Sequence, residues 1–178
     1  DCGANVRVYT ELFCQWVGEK GFVVAFEPFA DSCDLIRERV PSCPWLQIEN
    51  IALSDSDTTG KLQTGAESVE NHIAISTEAQ EDDGTVPVVI SRGDTVCKRL
   101  GRMPNIIKLD VEAFEEEVLA GMGEMLASPE LRNLLVEVHF KKLELRGRPM
   151  APVRIEKQLR SKGFTTRWID ASHIFATR

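Results

Sequence analysis

Two acids set two residues apart, Asp110 and Glu112, follow the apolar run Ile106-Ile107-Lys108-Leu109. They precede a stretch in which Phe114, Val118, Leu119 and Met122 recur at three- and four-residue spacing. The first pattern is that of a strand buried on both faces and the second that of a helix. The acids therefore stand where a central strand gives way to a helix, the edge of an open α/β sheet at which ligands bind. Carboxylates at such a mouth can take a proton, orient a hydroxyl or coordinate a hard cation. No third metal ligand is identifiable from the spacing, so no metal is expected. A second strand within Leu131 to Phe140 carries Glu137 and His139 toward its C-terminal end. His139 is the one histidine of three at the C-terminal edge of a predicted core strand, and imidazole titrates near neutrality. It is the first candidate base, with Asp110 and Glu112 as alternatives.

A second constellation lies at the start of the chain. Asp1-Cys2-Gly3-Ala4-Asn5 precedes an amphipathic run (Val8, Leu12, Phe13, Trp16, Val17), which reads as a strand-to-helix turn. Gly3 lets backbone approach a ligand closely, and a helix start offers free N–H groups. Glu27 ends the apolar run Phe22 to Phe26, 24 residues after Gly3. An acid at the end of the second strand is placed to accept hydrogen bonds from a ribose diol.

These side chains need a sheet to hold them. Strands are expected at Phe22–Phe26, Trp45–Leu53, Val86–Ile90, Ile106–Val111, Leu131–Phe140, Thr165–Asp170 and Ser172–Thr177. Helices are expected after Val8, over Ser32–Val40 and Asp94–Leu100, from Phe114, and from Pro152 to the stop at Gly163. Alternating strands and helices without long insertions imply a right-handed, doubly wound parallel sheet. The tight turn between the last two strands makes the final one antiparallel. Ser56 to Asp83 reads as a hairpin or loop over the ligand crevice, with His72 a lesser candidate for reaching a substrate. Lys141 to Met150 reads as basic and irregular. Lys108, midway along a buried strand, must face an acid, either Asp110 or Glu137.

Composition narrows the partners. A chain of 178 residues, 43% hydrophobic, can bury the core of one domain. A net charge of −7 argues against a nucleic-acid partner, whose binding needs clustered cations. No apolar run approaches the ~18 residues of a membrane span. The five cysteines are scattered without paired spacing, so free thiols in a reducing compartment, the cytoplasm, are expected.

Taken in order, several stretches resemble the FkbM family of S-adenosylmethionine-dependent methyltransferases. They are Asp1-Cys2-Gly3-Ala4-Asn5, Val24-Ala25-Phe26-Glu27-Pro28, Asn50 to Asp55, Ile107 to Glu112, Glu137-Val138-His139 and the closing Leu159 to Phe164. The resemblance implies a Rossmann-like class I methyltransferase fold. That is an α/β three-layer αβα sandwich with a mostly parallel seven-stranded sheet, its first strand truncated here and its last antiparallel, all in one domain trimmed at its N-terminus. It implies S-adenosylmethionine as cofactor. Asp1, Gly3 and Asn5 would line its methionine end, Glu27 its ribose, and Ala52 and Leu53 would flank its adenine. Asp110 and Glu112 would lie between cofactor and acceptor. Family members usually have glycine where this chain has Arg7 and Ala113. The implied acceptor is a hydroxyl on a sugar, glycan or small metabolite, with the loop from Ser56 and the Lys141, Lys142, Arg146 and Arg148 segment as acceptor surfaces. Two other readings compete: a non-catalytic binding module descended from such an enzyme, and a nicotinamide-dependent oxidoreductase. The second is disfavoured because Gly3-x-Asn5-x-Arg7 lacks the G-x-G-x-x-G spacing.

Overall fold

The computed structural model describes residues 1–6, 8–63, 72–74 and 85–178. Along the chain the elements are α1 (Tyr9–Val17), β1 (Val23–Phe26), α2 (Ala30–Arg39), β2 (Leu46–Glu49), β3 (Ala52–Ser54), β4 (Thr58–Gln63) and β5 (His72–Ala74). There follow β6 (Thr85–Arg92), α3 (Gly93–Leu100), β7 (Ile106–Leu109), α4 (Glu115–Ala120), β8 (Asn133–Glu137), α5 (Phe140–Leu145), α6 (Ala151–Ser161), β9 (Thr165–Trp168) and β10 (His173–Thr177). This is an α/β fold.

Two groups of strands meet at Cys2. β1 and β2 pair in parallel, and β7, β8, β10 and β9 form a four-stranded sheet in that order. Cys2 makes parallel bridges to both Phe26 and Leu109. Its N–H donates to the Lys108 carbonyl at 2.9 Å, and the Asp110 N–H donates back to the Cys2 carbonyl at 3.0 Å. Asp1 to Gly3 thus fill the position between β1 and β7. β7 and β8 run parallel, and β10 runs antiparallel to both β8 and β9, as the tight turn before it requires. That antiparallel step leaves β9 parallel to β8, so their C-terminal ends share one edge.

The strand expected over Trp45–Leu53 is two strands in different sheets. β2 ends at Glu49, and the Asn50 amide turns to donate to the carbonyls of Glu27 and Pro28. β3 then pairs in parallel with β6 inside a separate mixed sheet of order β3-β6-β4-β5. The half-buried β2 and the buried β3 follow each other with only Asn50 and Ile51 between them, so no turn signal in the sequence marks the break. The single sheet expected from sequence is therefore divided among the described residues. Within Ser56 to Asp83, β4 and β5 pair antiparallel. Residues 64–71 and 75–83 of that segment, Arg7 and the side chain of His72 lie outside the described residues.

The Lys141–Met150 expectation also changes. Its first part is α5, anchored by Leu143, which is buried in the main core. That core runs through Leu109, Val118, Leu119, Met122, Leu134, Val136, Ile155, Leu159 and Ile174, joining β7, β8 and β10 to α4 and α6. At the end of α4, a Cβ on Gly121 would lie 1.9 Å from the Ser54 carbonyl oxygen, so only glycine lets this helix close against β3. All five cysteines are free thiols.

Candidate active site

The turn after Cys2 is built from backbone geometry. Gly3 has φ +75°, and a Cβ there would sit 1.8 Å from the Asp110 carbonyl oxygen. Two successive amides, of Gly3 and Ala4, donate to the Phe26 carbonyl at 3.0 Å. Asn5, also left-handed at φ 44°, presents its N–H to Glu27 Oε2 at 2.8 Å. Glu27 Oε1 accepts from the Phe29 N–H at 3.0 Å. The Glu27 carboxylate is 4% exposed, and burial raises its pKa above the ordinary glutamate value against the pull of those amides and of Lys108. Each of its oxygens keeps a second acceptor position. It is an anion held in place by backbone and short of donors.

Beneath the turn lies a buried ion group. The Lys108 ammonium, 4% exposed, sits 3.2 Å from Asp110 Oδ2, 3.4 Å from Asp1 Oδ1 and 3.2 Å from the Gly3 carbonyl. Thr10 donates to the other Asp1 oxygen at 2.7 Å, and the Tyr9 ring lies 5.1 Å from the ammonium. Of the two partners expected for Lys108 the structure shows Asp110, and it adds Asp1.

From Asp110 the charged network continues to β8. Glu112 and Ala113 both adopt left-handed φ, 55° and 76°, which folds the chain back at the end of β7. Glycine is the usual solution at such a place, so Ala113 holds strain where the resemblance expects glycine. The fold-back brings Glu112 Oε2 to 3.0 Å and Asp110 Oδ1 to 3.5 Å from His139 Nε2. Among the described residues, Asp110, Glu112 and His139 also form a group whose donor atoms all lie within 4.8 Å of one another. Lys142, one helical turn beyond His139, reaches Glu112 Oε2 at 2.9 Å.

Glu115 is not among the candidate residues read from the sequence. In the structure it is fully buried, and its Oε1 lies 2.9 Å from His139 Nδ1 while accepting from the Ala113 N–H at 3.0 Å. Burial alone would lower the imidazole pKa; the hydrogen bond and charge of Glu115, with Glu112 and Asp110, outweigh it and raise the pKa above the ordinary value. A signal for this was present: Glu115 stands three and four residues before Val118 and Leu119, on the helix face that enters the core. Glu137 lies 3.9 Å from His139 and 3.5 Å from His173, which in turn pairs with Asp170 at 2.9 Å.

The structure thus brings Gly3, Asn5, Glu27, Asp110, Glu112 and His139 onto one edge, linked by direct contacts. Ala52 and Leu53 differ from these: both side chains are buried in apolar clusters, so only their backbone can face a ligand. Arg146 and Arg148, expected to face an acceptor, are bound to Glu117. No helix among the described residues is long and apolar enough to cross a membrane.

Comparison with known proteins places the chain by fold and by family. The methyltransferase FkbM of Methylobacillus flagellatus KT, in its crystal structure, has the same fold at a TM-score of 0.63 and 12% identity; the superposition covers 100% of this chain and 42% of that one. The hexuronic acid methyltransferase AglP of Haloferax volcanii is 30% identical over 142 residues, 78% of this chain and 54% of its own length. The chain therefore spans about half the length of that curated relative. The Methyltransferase FkbM domain matches residues 1–166, and the chain belongs to that family.

Proposed function

We propose that this chain carries the methyl-transfer site of an S-adenosylmethionine-dependent O-methyltransferase acting on a hydroxyl of a sugar or small metabolite. One observation carries the reading. Gly3 touches both halves of the rim, through Asn5 to Glu27 and through its close approach to Asp110, so that a donor-poor carboxylate and a group of bases share one edge. In the same reading, Asp1–Gly3 count as the first of seven strands in a three-layer class I sheet.

The residues present suit the cofactor. Glu27 offers two acceptor positions for a ribose diol, and the left-handed Gly3 lets the turn close against the Asp110 backbone beside it. Asn5 lies next to both. S-adenosylmethionine, when bound, supplies a methyl group activated by a sulfonium. The chain's own residues then do two things. They hold the acceptor oxygen in line, an alignment that contributes ~7–11 kcal/mol in well-oriented reactions. They also receive the hydroxyl proton at His139 Nε2, a step typically contributing ~10²–10⁴-fold. Glu115 fixes the imidazole by its Nδ1 side, leaving Nε2 toward Asp110 and Glu112.

A sugar acceptor is supported by the substrate in the name of the Haloferax volcanii relative, a hexuronic acid. Beside His139, Phe140 and Trp168 form an exposed aromatic pair with centroids 5.6 Å apart, a surface suited to the face of a sugar ring. The test is transfer of a labelled methyl from S-adenosylmethionine to a panel of hexuronic acid glycosides. Label in a base-stable ether on the sugar supports the reading. Label confined to a carboxyl ester, or absent with every acceptor while S-adenosylhomocysteine also fails to bind, overturns it.

A further inference from the structure

We propose that Asp110, Glu112 and His139 form a binding site for a divalent cation, with two carboxylate oxygens and one imidazole nitrogen as ligands. The three donor atoms lie within 4.8 Å of one another, a spacing a single ion can bridge. They come from two separate elements, the fold-back after β7 and the residue that precedes α5, so local sequence does not force them together. Oxygen and imidazole ligands in this ratio suit an ion of intermediate hardness such as Mn²⁺.

A second observation is independent of that spacing. Glu115 is fully buried and grips His139 through Nδ1 at 2.9 Å, which commits the ring's other nitrogen to Glu112 and Asp110. A carboxylate behind a ligating imidazole is the usual outer support of a metal-bound histidine, fixing tautomer and orientation. The other Glu115 oxygen, Oε2, is buried with no hydrogen-bond partner among the described residues. Asp110, Glu112, Glu115 and Glu137 all lie within 3.9 Å of the imidazole. Among the described residues, Lys142 reaches Glu112, and Lys108 is shared by Asp110 and Asp1.

The use of this ion rests on the methyl-transfer reading above. His139 and Glu112 side chains are 14% and 25% exposed, so coordination positions remain open toward solvent. An acceptor hydroxyl bound there is polarised and gives its proton to water, so the ion takes over at Nε2 the part that His139 plays as base in the ion-free site. Lys142 competes for the same Glu112 oxygen and sets the affinity.

The experiment is titration of Mn²⁺ into chelator-stripped protein, following the free-ion resonance signal, with thermal unfolding in parallel. Saturable binding of one ion is expected, with a rise in Tm, because an ion that binds only the folded chain stabilises it. Glu112→Gln and His139→Gln each weaken binding at least about tenfold, as loss of a ligand does, while Glu124→Gln leaves it unchanged. Lys142→Met, which removes the competing ammonium and no ligand, tightens binding severalfold. Mn²⁺ affinity equal in wild type and Glu112→Gln, or unmoved by Lys142→Met, overturns the site. S-adenosylhomocysteine titrated into the same stripped protein separates the two claims. Its binding without Mn²⁺ binding refutes the cation alone, and Mn²⁺ binding without it refutes the methyltransferase reading alone.

Discussion

The two halves of the rim hold their groups by different means. On the β1 side, position is set by backbone: the left-handed Gly3 and Asn5, paired amides on the Phe26 carbonyl, and one carboxylate pinned by two N–H donors. On the β7–β8 side, position is set by side-chain charge, with four acids and two lysines around one imidazole. A backbone device fails abruptly when its one permissive residue changes. The charge network has several acids around one imidazole, so single neutral replacements among those acids are better tolerated by the fold than by the chemistry.

Gly3→Ala is the most severe way to break the contrast. The added methyl meets a backbone carbonyl, and the residue adopts an unfavourable φ, so a loss of at least ~3 kcal/mol is expected in denaturant unfolding. Lys108→Met tests the junction between the halves. Removing the cation from two buried carboxylates should cost ~3–5 kcal/mol by the same measurement, unless Asp110 is neutralised in the same chain. Glu27→Gln leaves the fold intact and weakens S-adenosylhomocysteine binding about 10- to 100-fold by calorimetry, the worth of one or two charge-assisted hydrogen bonds.

The pH response of Glu27 sharpens the comparison further. Its folded pKa is raised, so between the ordinary glutamate value and that raised value the folded chain keeps a proton which the unfolded chain has lost. Stability therefore falls as pH rises through this window, while S-adenosylhomocysteine affinity rises as the carboxylate ionises. Glu27→Gln should remove both slopes. Smallest of all is Ala113→Gly. Relief of a left-handed alanine opposes the added chain entropy, and the net change in unfolding should stay within about 1 kcal/mol.

The backbone half was the more legible in sequence. A glycine turn and an acid at the end of the next strand carry fixed spacing, because strand and helix lengths set it; in the structure Asn5 bonds Glu27 directly and Gly3 bonds the neighbouring Phe26 carbonyl. Asp110, Glu112 and His139 were also legible as individual residues, each at a strand end. Their partners were not. Glu115 acts from inside a helix across to another strand end, a contact of 24 residues' separation that no local pattern encodes. Lys108 was expected to face Asp110 or Glu137, but the shared hold on Asp1 depends on how Cys2 inserts between β1 and β7. The division at Asn50 escaped notice because hydrophobicity reports burial and not which sheet a strand joins. The α5 helix escaped because six residues with one buried leucine give too short a period to read.

The shared edge is tested most directly by titrating S-adenosylhomocysteine into wild-type protein, Glu27→Gln and Glu112→Gln under one buffer. Saturable one-to-one binding is expected in the wild type, weakened at least about tenfold by Glu27→Gln and less than about threefold by Glu112→Gln. Absence of binding heat in the wild type, or equal losses in both variants, would contradict the assignment of cofactor to one half of the rim and acceptor chemistry to the other.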